Sequence, residues 1–104
     1  MKKSMYSTDI IWYDLSVRTA IEKLDDKYPN AIPVFGGALG AKNSVDNGDL
    51  DKFIGAMINA VDNAKFYKWH EPSAQVARRF CNLCGVDPML IEAGFGVRLE
   101  EVFK

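Results

Sequence analysis

The stretch Pro72–Gly94, PSAQVARRFCNLCGVDPMLIEAG, carries the densest local information in the chain and sets the reading of everything around it. Pro72 suits a first helical position, where a missing N–H costs nothing. Val76, Ala77, Phe80, Cys81 and Cys84 then recur at spacings of three and four, which makes one apolar face. Gly85 stops that helix in the left-handed closing conformation, with Val86 folding back on Cys81. Asp87 caps a second helix that Pro88 opens, and Gly94 ends it about two turns later. Two helices joined by a tight corner are expected.

The flanking sequence supports a mainly α fold: a compact bundle of four to five helices in a single domain, residues 1–104. With 104 residues and 48% apolar side chains, the chain can bury roughly two-thirds of its unfolded surface without staples. A net charge of −1 gives no general affinity for nucleic acid or membrane, so electrostatics must be read locally. Two cysteines make no disulfide framework and point to a reducing cytoplasm. Asp9 and Asp14 interrupt the apolar residues near the start, which excludes a signal-peptide core, and no run approaches the ~20 apolar residues of a membrane span.

Upstream, Ile10, Tyr13, Val17, Ala20, Ile21, Leu24 and Tyr28 predict a helix from Thr8 to Tyr28, capped by Thr8 and ended by Pro29. Ile11, Trp12 and Leu15 add a second apolar patch beside it, fit to lie between two layers or to show an aromatic to a partner. The segment Asn30–Gly48 holds four glycines and Pro33 and reads as a long Gly-rich loop with a short β-like run at Val34-Phe35. Its GGALGAK string lacks the spacing of a phosphate-binding loop. Asp49 caps a further helix with an inward stripe of Leu50, Phe53, Ile54, Met57, Ile58, Val61 and Ala64. The acidic residues around Gly48 do not match a calcium loop and serve capping better. After Gly94, Phe95-Gly96 reads as a turn, and Val97, Val102 and Phe103 return to the core.

Chemistry-bearing residues are sparse. Cys81 and Cys84 fall at a helix C-terminus, where the dipole disfavours a thiolate, so a redox pair is not expected. With His70 as the one other soft ligand, a zinc site within one chain is short of donors, and a site shared across a dimer stays open. The favoured reading of both cysteines is as small hydrophobes. Asp25-Asp26 and Glu100-Glu101 are adjacent pairs facing water and make no general acid and base. No catalytic residues, metal ligands or cofactor are assigned. From Lys65 to Phe80, four basic residues oppose Glu71 alone, around Phe66, Tyr67 and Trp69. Such a cluster suits stacking on single-stranded nucleic acid or, as favoured here, a solvated or protein-binding surface.

Two resemblances attach to Ala77–Glu92. Cys81, Gly85, Val86, Pro88 and Ile91 stand where the helix-turn-helix of Cro-type and repressor-type regulators has its small residue, corner glycine and hydrophobics. The helix that would read DNA nevertheless offers Met89, Leu90, Glu92 and Ala93, with no Arg, Lys, Asn or Gln for base edges. The segment A-R-R-F-C-N-L-C-G-V-D-P also resembles the A-R-x-x-C, then G-x-D-P, pattern of small uncharacterised phage proteins, which implies a mobile-element origin and no defined activity. The resulting expectation is a non-enzymatic phage or mobile-element protein that binds and modulates or inhibits a protein partner, a host-defence component being one subclass. Trp12, Phe35, Lys65, Lys68, Trp69, Arg78 and Arg79 are its partner-binding candidates, since aromatic and arginine anchors dominate interfaces. A helix-turn-helix DNA-binding regulator is the alternative, and a homodimer is left open.

Overall fold

The computed structural model describes residues 17–104. Among them the chain is mainly helical: α1 (residues 17–25), α2 (Ala31–Phe35), α3 (Ala38–Asp46), α4 (Leu50–Phe66), α5 (Ser73–Leu83), α6 (Pro88–Phe95) and α7 (Leu99–Val102). These segments outnumber the four to five expected, because the presumed loop after α1 is itself helical.

The centre of the fold is the hairpin of α4 and α5. Asp49 caps α4 by accepting the Lys52 N–H at 3.2 Å. Phe53, Met57, Ala60, Val61 and Ala64 are buried along its inner stripe. Leu50 and Ile58, expected inside, are 44% and 41% exposed, because they flank a stripe centred on Phe53, Met57 and Ala60. In α5, Val76, Ala77, Phe80 and Cys81 are buried as their spacing predicts, with Cys84 just beyond. The Phe53 and Phe80 rings lie 5.5 Å apart and Cys81 Sγ is 3.8 Å from Met57 Sδ, so the start of α4 meets the end of α5 and the pair is antiparallel.

The corner expected from the sequence forms. Gly85 has φ +70°, and the Val86 N–H donates to the Cys81 carbonyl at 2.9 Å, the long bond of a left-handed helix stop. Asp87 then accepts the Met89 N–H at 2.9 Å to start α6, and Ile91 is buried. Helix α6 runs past Gly94 and ends at Gly96, φ +78°. Beyond it Leu99 is fully buried, whereas Val97 is 48% exposed and Val102 and Phe103 are half-buried, so the closing segment anchors through a different residue from those expected.

The reading of residues 30–48 as a Gly-rich loop is corrected by α2 and α3. Ala31, Val34, Phe35, Ala38 and Ala41 are all buried, at helical spacing, against α4. Pro33 sits in the first turn of α2, where its absent N–H leaves no bond unmade. One of the four glycines falls where a larger residue would crowd: a Cβ at Gly36 would stand 3.0 Å from the Ile32 carbonyl oxygen. Helix α1 buries Val17 and Ile21 and ends at residue 25, short of the expected Tyr28. Its expected beginning, Thr8 to Tyr13, lies outside the described residues.

Candidate functional site

Two turns meet at one end of the hairpin. The first follows α1: the Tyr28 N–H donates back to the Leu24 carbonyl at 2.7 Å, and Asp25 accepts the Ala31 N–H at 3.1 Å. Asn30, at φ 71°, swings the chain into α2. The second follows α4. Lys68 adopts φ 61°, a left-handed conformation that costs a residue with a Cβ about 1 kcal/mol. The Trp69 N–H donates to the Ala64 carbonyl at 2.9 Å, which completes the helix stop and turns the indole inward.

Trp69 then ties the turns together. Its Nε1–H donates to the Pro29 carbonyl at 3.0 Å, across 40 residues of sequence. The indole stands 5.5 Å from the Tyr28 ring at a 30° tilt and 5.6 Å from Phe35 in an edge contact. Behind Tyr28, the Arg79 guanidinium lies 4.5 Å from the ring centroid, donates to the Tyr28 hydroxyl at 3.2 Å and pairs with Glu71. The result is a largely apolar cleft of about 370 Å³ between Tyr28-Pro29-Asn30 and the segment from Tyr67 to Glu71. Next to it Phe66, 77% exposed, stacks edge-on against Tyr67 at 5.1 Å. Lys68 lines the cleft, and Lys27 holds its ammonium 5.8 Å from the Tyr28 ring. Lys65 is exposed one turn earlier on α4.

Of the residues expected to bind a partner, Lys68 and Trp69 meet here with Arg79 as support, and Lys65 is exposed in the last turn of α4. Phe35 does not belong to the surface: it is fully buried, because α2 turns it into the core beneath Trp69. Arg78 is drawn to the far side of α5, where Glu92 and Glu100 hold it at 2.9 and 2.7 Å. Trp12 lies outside the described residues. Sequence reasoning missed Tyr28 and Pro29 as site residues, having counted Tyr28 with the core stripe of the first helix. The pattern also overstated the positive charge between Lys65 and Phe80, since Glu92 and Glu100 reach Arg78 from 14 and 22 residues away.

The cysteine pair lies away from the cleft. Cys81 and Cys84 are free and buried. Desolvation pushes their thiols up to about 11 and about 12, so nucleophilic thiolate is suppressed at both. Among the described residues, no group of three or more His, Cys, Asp or Glu side chains could hold a metal ion. None of the described helices is long and apolar enough to cross a membrane. No family model matches the chain, and no curated protein or solved structure shows significant similarity to it.

Proposed function

We propose that this chain is a non-enzymatic binding module that recognises another protein through the Tyr28–Trp69 cleft. The observation that carries the reading is an aromatic cleft with a lysine edge: Phe66 and Tyr67 beside it, Lys27 and Lys68 at its edge, and Glu71 neutralised by Arg79. Such a surface suits an acidic partner segment carrying an aromatic or proline anchor. The anchor fills the apolar floor and the carboxylates meet the ammonium groups. That the bound partner is a host protein, modulated or inhibited by a phage or mobile-element product, rests on the resemblance at residues 77–92 alone.

Selection from a displayed peptide library tests the reading. Acidic peptides with an aromatic or proline should be enriched, and enrichment should vanish for a Tyr67→Ser, Lys68→Glu variant. Equal enrichment on the variant refutes the cleft as the site.

A helix-turn-helix regulator is the second reading, favoured by the α5–α6 corner. Against it, α6 presents Met89 and Leu90 outward, 70% and 66% exposed, and both arginines of α5 are engaged by carboxylates. Duplex DNA binding that weakens steeply with salt and depends on Arg78 and Arg79 would restore it.

A further inference from the structure

We propose that Arg79 is the specificity-determining residue of the Tyr28–Trp69 cleft: it cancels Glu71 on one wall and backs Tyr28 on the other, which admits an acidic segment. The inference rests on the cleft being a protein-binding surface. Arg79 is not among the residues that line the cleft, whereas Tyr28 and Glu71 are. From α5 its guanidinium reaches both. Nη1 pairs with the Glu71 carboxylate, Nη2 donates to the Tyr28 hydroxyl at 3.2 Å, and the guanidinium carbon lies 4.5 Å from the Tyr28 ring centroid. The Arg79 and Glu71 side chains are 18% and 23% exposed, so the pair is largely shielded from water. A planar guanidinium fork holds two such partners at once, which the point charge of a lysine does not. Arg79 is thus a positioning residue: it acts on a ligand through Tyr28 and Glu71.

Charge sets the consequence. Among the described residues that line the cleft, Glu71 is the one acid, beside Lys68 and His70. Lys27 holds its ammonium 5.8 Å from the Tyr28 ring, and Asp25, which ends α1, accepts the Ala31 N–H. With Arg79 in place, the Glu71 charge is answered from behind, and the two lysines set the sign that a partner meets. Without Arg79, a mostly buried carboxylate loses its partner and opposes the carboxylates of an acidic segment, while the Tyr28 ring loses the cation against it. The neighbouring Arg78 cannot take over, because Glu92 and Glu100 hold it on the far side of α5.

Two synthetic peptides with the same phenylalanine anchor, one flanked by glutamates and the other by glutamines, test this by fluorescence polarisation of an end label. The native chain should bind the glutamate peptide about tenfold tighter. Arg79→Gln should bring the two affinities within about twofold, and adding Glu71→Gln to it should restore the preference. Arg79→Lys keeps the charge and should keep the preference, with both peptides bound more weakly. Glu71→Gln alone should raise the preference above the native one, and this variant decides the matter if Arg79→Gln does not fold. An unchanged ratio in Glu71→Gln overturns the assignment. So does an Arg79→Gln variant that weakens both peptides alike with no recovery from Glu71→Gln, the mark of a role confined to the fold. Either result leaves the cleft standing as the site. A native chain that binds neither peptide up to about 1 mM overturns the cleft reading itself, and this assignment with it.

Discussion

Removing the Glu92 carboxylate should loosen three helices at once. Its Oε2 accepts the Leu99 N–H at 2.8 Å and Arg78 Nη2 at 2.9 Å, so a side chain only 16% exposed joins α6 to both α5 and the start of α7. In Glu92→Ala the Leu99 amide, attached to a fully buried residue, loses its acceptor, at a cost of about 1–3 kcal/mol. Arg78 still holds Glu100, whose side chain is half exposed, so the lost ion pair adds at most about 1 kcal/mol. The sum is about 1–4 kcal/mol. Glu92→Gln keeps an acceptor for the amide and should cost about 1 kcal/mol or less. Urea unfolding followed by circular dichroism measures both; with a slope near 1 kcal/mol per molar, the alanine variant should lower the midpoint by about 1–4 M. A loss under about 0.5 kcal/mol for alanine, or equal losses for the two variants, would refute the assignment of the main effect to the Leu99 N–H.

Other perturbations test separate parts of the structure. Hydrogen bonding from Arg78 holds the Glu100 carboxyl down to about 2 from its ordinary 4.5, so its stabilising contribution is full above pH 4.5 and is lost as the pH falls toward 2. Glu100→Gln should flatten that part of the acid stability curve, and an unchanged curve contradicts the pairing. Gly85→Ala meets no close atom, the nearest being Lys42 Nζ at 3.8 Å, yet φ +70° should make it cost about 1 kcal/mol, whereas Gly55→Ala in the open middle of α4 should gain about 0.5–1 kcal/mol. Thermal melts of the two variants should therefore move in opposite directions. Thiol reagents at pH 8 should leave Cys81 and Cys84 unmodified until urea unfolds the chain, and rapid labelling of the native protein would contradict their burial.

Where a local rule had one dominant solution, the sequence was a good guide. Asp87-Pro88 had to open a helix, Gly85 had to close one, and the Phe53, Met57, Phe80 and Cys81 spacings marked the faces that meet. Residues 30–48 mislead because their four glycines and Pro33 are helix breakers by propensity, although Ala31, Val34, Phe35, Ala38 and Ala41 keep the helical period. Tertiary burial outweighed propensity there. The cleft was half visible. The aromatic and basic run at Lys65–Trp69 marked one wall, but the Trp69 indole finds Pro29 across 40 residues, and no local pattern specifies that partner. Arg78 failed as a surface anchor for the same reason, its carboxylates arriving from α6 and from the start of α7.

The Tyr28–Trp69 cleft as a protein-binding surface is tested most directly by amide and indole NMR during titration with an acidic, aromatic-bearing peptide. The Trp69 indole N–H, now bonded to the Pro29 carbonyl, should shift together with the backbone amides of Tyr28, Asn30 and residues 67–71, while α6 stays silent. Saturating shifts confined to α6, or none near Trp69, would contradict the account.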